Sequence, residues 1–320
     1  GAVSALVEFA SRVVEDQKKL TTEFGVIKDI IIEADYRSRK VGSNLVRRSH
    51  VEEALEEKHF RANLFERRLF DLVKTKELII SVDGKRIGLV NGLTVYDFGD
   101  YSFGKVCRVT CVVSMSGEEK VFNIERASKL SGNFHDKGVF ILSGFLNALI
   151  ARKESYHLSA SLVFEQSYGE IDGDSATLAE LTALVSSLAE IPVFQNLAIT
   201  GSLNQLGDVQ PIGGVNEKIE GFYKTCKLLG RGDTYNVIIP HQNVGHLMLN
   251  KETRKAVTQG FLRIFPVKQF WEVFEIATGV EFGAKNVQTK VFSKNSALGI
   301  VLKKLEAIRK KEDDRTNLKR

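Results

Sequence analysis

The stretch YGEIDGDSATLAELTALVSSLA, residues 168–189, joins a loop rich in glycine and acidic residues to an apolar segment. Its apolar side chains recur at helical spacing on one face, at Leu178, Leu181, Leu184, Val185 and Leu188. A stripe of this kind is typical of a helix that packs into a core. The stretch therefore predicts a buried helix from Ser175 to Ala189.

Ser175 stands where this helix is predicted to begin, and a serine there has two interpretations. It can simply cap the helix, which is the commoner role of a serine at such a position. It can also be a nucleophile, because the first turn offers unpaired amide N–H groups and a positive potential to a developing oxyanion. A nucleophilic hydroxyl needs a base. None of the six histidines lies in a motif typical of a Ser-His-Asp triad, although such triads assemble in space.

A second glycine-led segment, GGVNEKIEG at residues 213–221, places Lys218 in the first turn of another predicted helix. The ordinary interpretation of this lysine is a solvated surface residue. To act as a base it must be neutral, so its pKa must fall from about 10.4 to about 7–8. Burial shifts a lysine in that direction, and a positive helix N-terminus helps.

The chain outside these segments divides into a helical part and a mixed part. Apolar residues recur at helical spacing from residue 4 to about residue 73, and Ser49 and Glu52 have capping-box spacing before one long helix. The segment Leu78–Val82, followed by Asp83-Gly84, predicts a strand that enters a hairpin turn. Helices and strands mix after it, so we predict an α+β chain with a domain boundary near residue 75.

Composition and charge narrow the class of protein. The 320 residues suffice for about two domains. No apolar run reaches the roughly 18 to 20 residues of a membrane span, so we expect no membrane partner. Of the net charge of +5, residues 303–320 carry +4 (eight Lys/Arg against four Asp/Glu), which leaves +1 for the rest. A body so close to neutral argues against DNA binding, although the basic tail leaves an anionic partner open.

The cysteines bear on compartment and metal binding. Cys107, Cys111 and Cys226 form an odd, sparse set, which argues against a disulfide framework and fits a reducing, cytoplasmic compartment. Cys107 and Cys111 lie in an alternating, strand-like stretch without a histidine pair nearby. We therefore predict core cysteines and no metal site.

Two motifs resemble the signatures of a protease family. Gly-Asp-Ser-Ala at 173–176 and Gly-Gly-Val-Asn-Glu-Lys at 213–218 are similar to those of the Lon protease domain, most closely of its B-type branch. That family uses a Ser-Lys dyad, so the resemblance implies that Ser175 is the nucleophile and Lys218 its base. The separation of 43 residues also matches the family's usual spacing.

The resemblance extends to supporting residues. It implies that the hydroxyl of Thr200 holds the lysine amine. The backbone amides of Asp174, Ser175 and Ala176, at the predicted start of the helix, are the candidates to bind the oxyanion. Acids at Glu165 and Asp172 flank the nucleophile loop. A carboxylate close to the lysine would keep it charged, so either acid is a candidate latch that must swing away, although ordinary loop solvation explains both equally well.

The same resemblance implies a domain arrangement. Residues 1–74 are similar to the helical lid subdomain of an AAA+ ATPase, which in B-type Lon precedes the protease domain. Residues 75–285 would form the Lon-type proteolytic domain, and residues 286–320 a C-terminal helix and basic tail. The abrupt, helix-like start of the sequence leads us to expect a fragment of a longer protein.

The function implied is a serine endopeptidase that degrades unfolded or damaged proteins in a homo-hexameric ring. No G-x-x-x-x-G-K-[ST] motif occurs in the sequence, so we expect no ATPase activity and no cofactor here; ATP and Mg²⁺ would belong to a missing ATPase core of a full-length form. The main alternative is a non-catalytic ring-assembly module that is inactive without that core. A nucleic-acid-binding protein that uses the basic tail is a third possibility.

Overall fold

The computed structural model describes residues 1–99, 101–114, 120–150, 159–230, 232, 234–283 and 292–317. Its first part is helical, and its second part combines helices with a seven-stranded sheet. The predicted α+β class, with a helical part in front of a mixed one, is confirmed.

Four helices form the N-terminal part: α1 (Ala2–Val13), α2 (Phe24–Lys40), α3 (Arg48–Ala62) and α4 (Leu64–Lys74). The first three enclose a small core of their own, whose buried members are Ala5, Ile30, Ala34, Val51 and Ala54. Helix α4 belongs to a different cluster, in which its Leu69 and Val73 pack on Phe103 of the sheet. The helical part is therefore joined to the sheet through α4.

The prediction of a single long helix after Ser49 is wrong, because two helices form there. The helix is broken at Asn63, because the apolar faces of α3 and α4 pack on different cores. The predicted capping box is displaced as well. Helix α3 begins at Arg48, and His50 accepts from the backbone N–H of Arg47, while Glu52 pairs with the Arg48 guanidinium.

The strand predicted at Leu78–Val82 does not form. The backbone of this segment bonds to the Leu72 carbonyl of α4, through the Leu78 amide, and to side chains instead of to a neighbouring strand. The Ile79 amide donates to the side chain of Gln166, and the Ser81 carbonyl accepts from Asn91. The segment is therefore anchored to the sheet without becoming part of its ladder.

The central sheet has the strand order β11-β10-β7-β2-β3-β5-β4. Strand β3 pairs antiparallel with both β2 and β5, and the other neighbours run parallel. Two-stranded ribbons are formed by β1 with β6 and by β8 with β9. The bounds are β1 Lys85–Arg86, β2 Leu89–Asp97, β3 Ser102–Ser114, β4 Lys120–Asn123, β5 Ser159–Glu165, β6 Val193–Phe194, β7 Leu197–Ile199, β8 Ser202–Leu203, β9 Val209–Gln210, β10 Tyr235–Pro240 and β11 Leu262–Val267.

Helices cover both faces of this sheet. On one face, α6 (Asn133–Ile150), α7 (Thr177–Ala189), α10 (Phe270–Thr278) and α11 (Ala297–Asn317) share the larger core. On the other face, α8 (Val215–Leu229) and α9 (Lys251–Thr258) share a smaller core. Two short helices complete the set, α5 (Ile124–Ala127) and the 3-10 helix His241–His246. Because strand side chains alternate between faces, neighbouring residues of β3 serve different cores.

The apolar stripe predicted for the central helix is confirmed, since its five residues are at most 2% exposed. The helix itself begins at Thr177, two residues after Ser175, because the Asp174 carbonyl accepts from both the amide and the hydroxyl of Thr177. Helix α11 packs on α7 within the larger core, so the C-terminal helix is part of that core. The sequence also predicts a helix over residues 138–152 and a strand over residues 158–164; the end of that helix and the start of that strand lie outside the described residues, as do residues 318–320 of the predicted basic tail.

None of the described helices combines the length and the apolar character that crossing a membrane requires.

Candidate active site

Ser175 is fixed between the loop that precedes α7 and the end of strand β7. Its carbonyl accepts from the Gly201 amide at 2.8 Å and from the Thr200 hydroxyl at 3.3 Å. One residue earlier, the Asp174 carboxylate accepts from the Ser202 hydroxyl at 2.6 Å. The main chain of the serine is therefore held by the strand end, while its hydroxyl remains available to other partners.

Lys218 is positioned by close contact between main chains. Gly104 of β3 lies directly beneath the first turn of α8, and a Cβ there would collide with the carbonyl oxygen of Glu217 and lie 2.8 Å from the Cα of Lys218. One turn later, a Cβ at Gly221 would collide with the Gly104 carbonyl. Gly214, which precedes α8, has φ +66°, a left-handed conformation that glycine adopts without strain.

The two side chains meet near the N-terminal ends of α7 and α8. The Nζ of Lys218 lies 2.9 Å from the Oγ of Ser175. Lys218 is 3% exposed. Burial lowers the pKa of its amine to about 8, although the carboxyl groups of Asp174, Glu15 and Glu217 act in the opposite direction. Near neutral pH a useful fraction of this amine is therefore unprotonated and can accept the hydroxyl proton.

A cavity of about 360 Å³ opens beside the pair. Its described lining comes from four places: Glu15 after α1; Val95, Asp97 and Ser102 of the β2–β3 hairpin; Asp172 and Ser175 of the nucleophile loop; and Gly213, Gly214, Glu217 and Lys218 at the start of α8. Ser175 is partly exposed, so a substrate carbonyl could reach its hydroxyl from this cavity.

The predicted supporting residues differ in where they lie. Thr200 is fully buried next to the pair, but its hydroxyl donates to the Ser175 carbonyl; among the hydrogen bonds of the described residues, none joins it to Lys218. Its predicted contact with the amine therefore stays a prediction. No acceptor in the described part of the chain pairs with the amides of Asp174, Ser175 or Ala176, which leaves them free for an oxyanion.

The structure separates the two candidate latch acids. Asp172 lines the cavity, where its carboxylate accepts from the Phe134 amide at 3.2 Å. Glu165 ends β5 at the surface and accepts from the Thr110 hydroxyl at 2.8 Å, outside the described lining of the cavity. Of these two acids, Asp172 is thus the one that lines the same cavity as Lys218.

Sequence reasoning did not single out Glu15, Asp97 or Glu217. Glu217 lies inside the quoted lysine motif and has a pKa raised to about 7, mainly by burial and against the opposing charge of Arg12. Glu15 and Asp97 belong to distant segments without a motif of their own, so no local signal could have marked them.

A histidine does take part in a hydrogen-bonded chain, but away from Ser175. His135 contacts the Ser131 hydroxyl at 2.9 Å and Glu180 at 3.0 Å. Burial alone would lower the pKa of His135, but the hydrogen bond and charge of Glu180 outweigh it and raise that pKa. Since Ser131 donates to Asp136 at 2.6 Å, its proton points away from the histidine. These hydrogen bonds therefore join α6 to α7, and Ser131 is not a second nucleophile.

The three cysteines are free and buried, as predicted for core residues. Cys107 and Cys111 belong to the larger core and Cys226 to the smaller one. Burial raises the pKa of the Cys107 thiol to about 12, so it stays neutral close to Lys218. Within the described residues, no group of three or more His, Cys, Asp or Glu side chains could hold a metal ion.

Comparison with known proteins gives the same two parts. Residues 1–61 match the family described as "Archaeal LonB, AAA+ ATPase LID domain". Residues 141–279 match the "Lon protease (S16) C-terminal proteolytic domain". These matches cover the helices α1–α3 and the region that holds Ser175 and Lys218.

Individual relatives carry the same name. A "Putative Lon protease homolog" of Escherichia coli is 43% identical over 215 residues, which is 67% of this chain and 36% of that protein. An "Archaeal Lon protease" of Pyrococcus abyssi is 30% identical over 305 residues, 93% of this chain and 28% of that protein. The chain thus spans about a third of the length of such relatives. On these matches the chain belongs to the Lon protease family, with a LonB-type lid subdomain in front of a Lon proteolytic domain.

Proposed function

We propose that this chain is a serine endopeptidase in which Lys218 activates Ser175. The observation that carries the proposal is the 2.9 Å contact between the Lys218 Nζ and the Ser175 Oγ. A pKa of about 8 for the buried amine supports it, because such a lysine alternates between charged and neutral forms near neutral pH. The family membership supports a peptidase independently of this contact.

The proposed reaction begins with neutral Lys218. Its amine takes the hydroxyl proton as the Ser175 Oγ attacks the substrate carbonyl, and the free amides at 174–176 stabilise the oxyanion. The ammonium then returns the proton to the leaving amine, and the peptide C–N bond breaks to leave an acyl-enzyme. A water molecule, deprotonated by Lys218, hydrolyses the ester and restores both side chains.

Supporting roles follow from the contacts. Thr200 would act on the serine, because its hydroxyl and the Gly201 amide hold the Ser175 carbonyl. Asp172 is the better candidate for a latch, because it lines the cavity whereas Glu165 lies at the surface.

Substrate and assembly are part of the same proposal. The relatives are named Lon proteases, and we infer unfolded or damaged proteins as substrates, degraded in a cytoplasmic, hexameric ring. ATP dependence would arise in a full-length form, where an ATPase core would bind ATP and Mg²⁺. The lid and the proteolytic domain would then transmit its motion to the cavity.

The direct test is degradation of fluorescein-labelled casein. Ser175→Ala and Lys218→Ala should each lower the rate at least about a hundredfold, because either loss removes the activated nucleophile. Ser4→Ala, at an exposed serine of α1, is the matched control and should keep the wild-type rate. Circular dichroism checks that all variants are folded.

Equal casein cleavage by wild type and Ser175→Ala would contradict the proposal. Absence of cleavage by folded wild type, with a hexamer seen by native mass spectrometry, would favour the ring-assembly module instead.

A further inference from the structure

The turn after helix α1 of the lid is clamped onto the proteolytic domain next to the lysine. Arg12, in the last turn of α1, donates to both carboxylate oxygens of Glu220 at 2.6 and 2.9 Å and to the Met248 carbonyl at 2.8 Å. It also lies 3.5 Å from Glu217. Both glutamates belong to α8, the helix that carries Lys218, so this guanidinium joins the lid to the lysine's own helix.

The same turn is held from its other side by Gln17. The Gln17 amide donates to the Gly245 carbonyl at 3.0 Å, and its side chain donates to the carbonyls of Val244 and Leu247 at 3.1 and 3.0 Å. These three acceptors lie in or next to the 3-10 helix His241–His246. Because the turn is fixed at Arg12 and at Gln17, the residues between them have a defined position.

Glu15 lies between these two anchors and points at the cavity. Its backbone adopts φ +51°, an uncommon conformation for a residue with a side chain. Its Oε2 lies 3.4 Å from the Gly214 amide, at the turn from which α8 begins, and the side chain lines the cavity beside Ser175 and Lys218. A lid residue thus forms part of the wall of the candidate active site.

We propose that Glu15 is a positioning residue for Lys218: its carboxylate braces the glycine turn before the lysine's helix and presents a negative charge to the amine across the cavity. This inference rests on the proposed Ser175–Lys218 chemistry, but it assigns part of that chemistry to the lid. The lid would then influence the charge of the base directly, through one side chain, in addition to any motion it transmits.

Other titratable groups face the same lysine. Asp174 comes from the nucleophile loop and Glu217 from α8 itself, while the buried thiol of Cys107 comes from β3. Asp97 and Asp172 line the cavity as well. Arg12 faces Glu15 and Glu217 from α1 and partly offsets their charge. Glu15 is the acidic member of this set that the lid supplies, so it can be changed without a substitution in the proteolytic domain.

The sign of its effect follows from its charge. A carboxylate stabilises the ammonium form, so Glu15 raises the pKa of Lys218 against the effect of burial. Glu15→Gln keeps the size and a hydrogen-bond acceptor but removes the charge. The amine should then lose its proton at a lower pH. For an opposite charge acting through a partly hydrated cavity, the shift should be roughly 0.5 pH unit.

The test is an NMR titration of lysine ¹³Cε signals in the full chain, with the Lys218 signal identified by its loss in Lys218→Arg. Glu15→Gln should lower the midpoint of that signal. Glu56→Gln, an exposed glutamate of α3, is the matched control and should leave it unchanged. Glu15→Ala should lower the midpoint in the same way and also reduce kcat for casein, because it removes the brace as well as the charge.

Equal midpoints in wild type and Glu15→Gln would overturn the inference, whatever the activity. Because the titration needs no turnover, its result is separate from that of the Ser175→Ala experiment. If casein cleavage proves independent of Ser175 while the midpoint still falls, Glu15 acts on the lysine and the proposed peptidase reaction is what fails. In an active enzyme, the acid limb of kcat/KM should move to lower pH by the same amount as the midpoint.

Discussion

Helix α7, which begins two residues after Ser175, and helix α8, which carries Lys218, lie on opposite faces of one sheet and are held in different ways. In α7, twelve of the thirteen residues from Thr177 to Ala189 are buried. In α8, the inner face packs on the sheet, while Arg12 of the lid contacts Glu217 and Glu220 on its outer face. The nucleophile thus lies just before a helix that is buried in the larger core. Lys218 belongs to a helix that also contacts the lid, so residues of the lid can influence the charge of its amine.

The largest effect should come from separating α8 from the sheet. Gly104→Ala places a Cβ against the Glu217 carbonyl and close to the Lys218 Cα, so the helix must move away and the lysine with it. We expect casein cleavage to fall to background and the free energy of unfolding to drop by about 2–3 kcal/mol. Urea unfolding and the casein assay measure the two effects.

Gly25→Ala is the matched control for this change, because nothing lies within 4 Å of a Cβ at that position. If Gly104→Ala kept both activity and stability, the close contact between α8 and β3 would not be what positions Lys218.

A change inside α7 should lower stability and leave the pKa of Lys218 unchanged. Leu181→Ala removes a fully buried side chain and should lower the free energy of unfolding by about 3 kcal/mol through the cavity that it leaves. In the remaining folded protein, kcat/KM should still rise with pH through about 8, as the Lys218 amine loses its proton. A shifted pH profile in Leu181→Ala would contradict the distinction between the two helices.

The smallest effect should come from releasing the lid from α8. Arg12→Met leaves Glu217 without the charge that lowers its pKa, which burial already raises to about 7. A carboxyl with a raised pKa in the folded protein favours folding at low pH, and this contribution is lost as the pH rises. Since Arg12 is 31% exposed, we expect a loss of only about 1 kcal/mol at pH 8 and less at pH 5.5.

Arg61→Met is the control for Arg12→Met, because Arg61 pairs with Glu33 inside the lid. Urea unfolding at the two pH values distinguishes them. If Arg12→Met lost the same free energy of unfolding at pH 5.5 and at pH 8, Arg12 of the lid would not influence the pKa of Glu217.

The same division explains what could be predicted from sequence. The buried stripe of α7 could be predicted because periodicity reports burial along one helix. Ser175 and Lys218 were singled out because their two motifs resemble those of the Lon protease domain, and the structure adds that their side chains lie within hydrogen-bond distance. The break at Asn63 could not be predicted from the sequence, since the apolar pattern continues on both sides of it. Only the structure shows that α3 and α4 pack on two separate cores. Glu15 was not readable either, because its contact joins residues that are 199 positions apart.

The irregular segment at 78–82 shows a different limit. Its composition favours a strand, and its side chains do pack on the sheet, with Val82 buried in the smaller core. What it lacks is a neighbouring strand, since the Leu78 amide donates to the Leu72 carbonyl of α4, and Gln166 and Asn91 supply side-chain atoms. Strand propensity describes a residue's fit to a half-buried surface, and it does not tell which atoms will satisfy the main chain.

The crossing of Gly104 and Gly221 has a consequence for how this protein can change over time. Two main chains touch there, so neither position can accept a methyl group unless the whole helix retreats. Repacking of nearby side chains cannot compensate, because the contact is between backbone atoms of β3 and α8. Any single substitution at Gly104 or Gly221 therefore adds a side chain that displaces the helix. The distance between Ser175 and Lys218 thus depends on glycine being kept at two positions that are far apart in the gene.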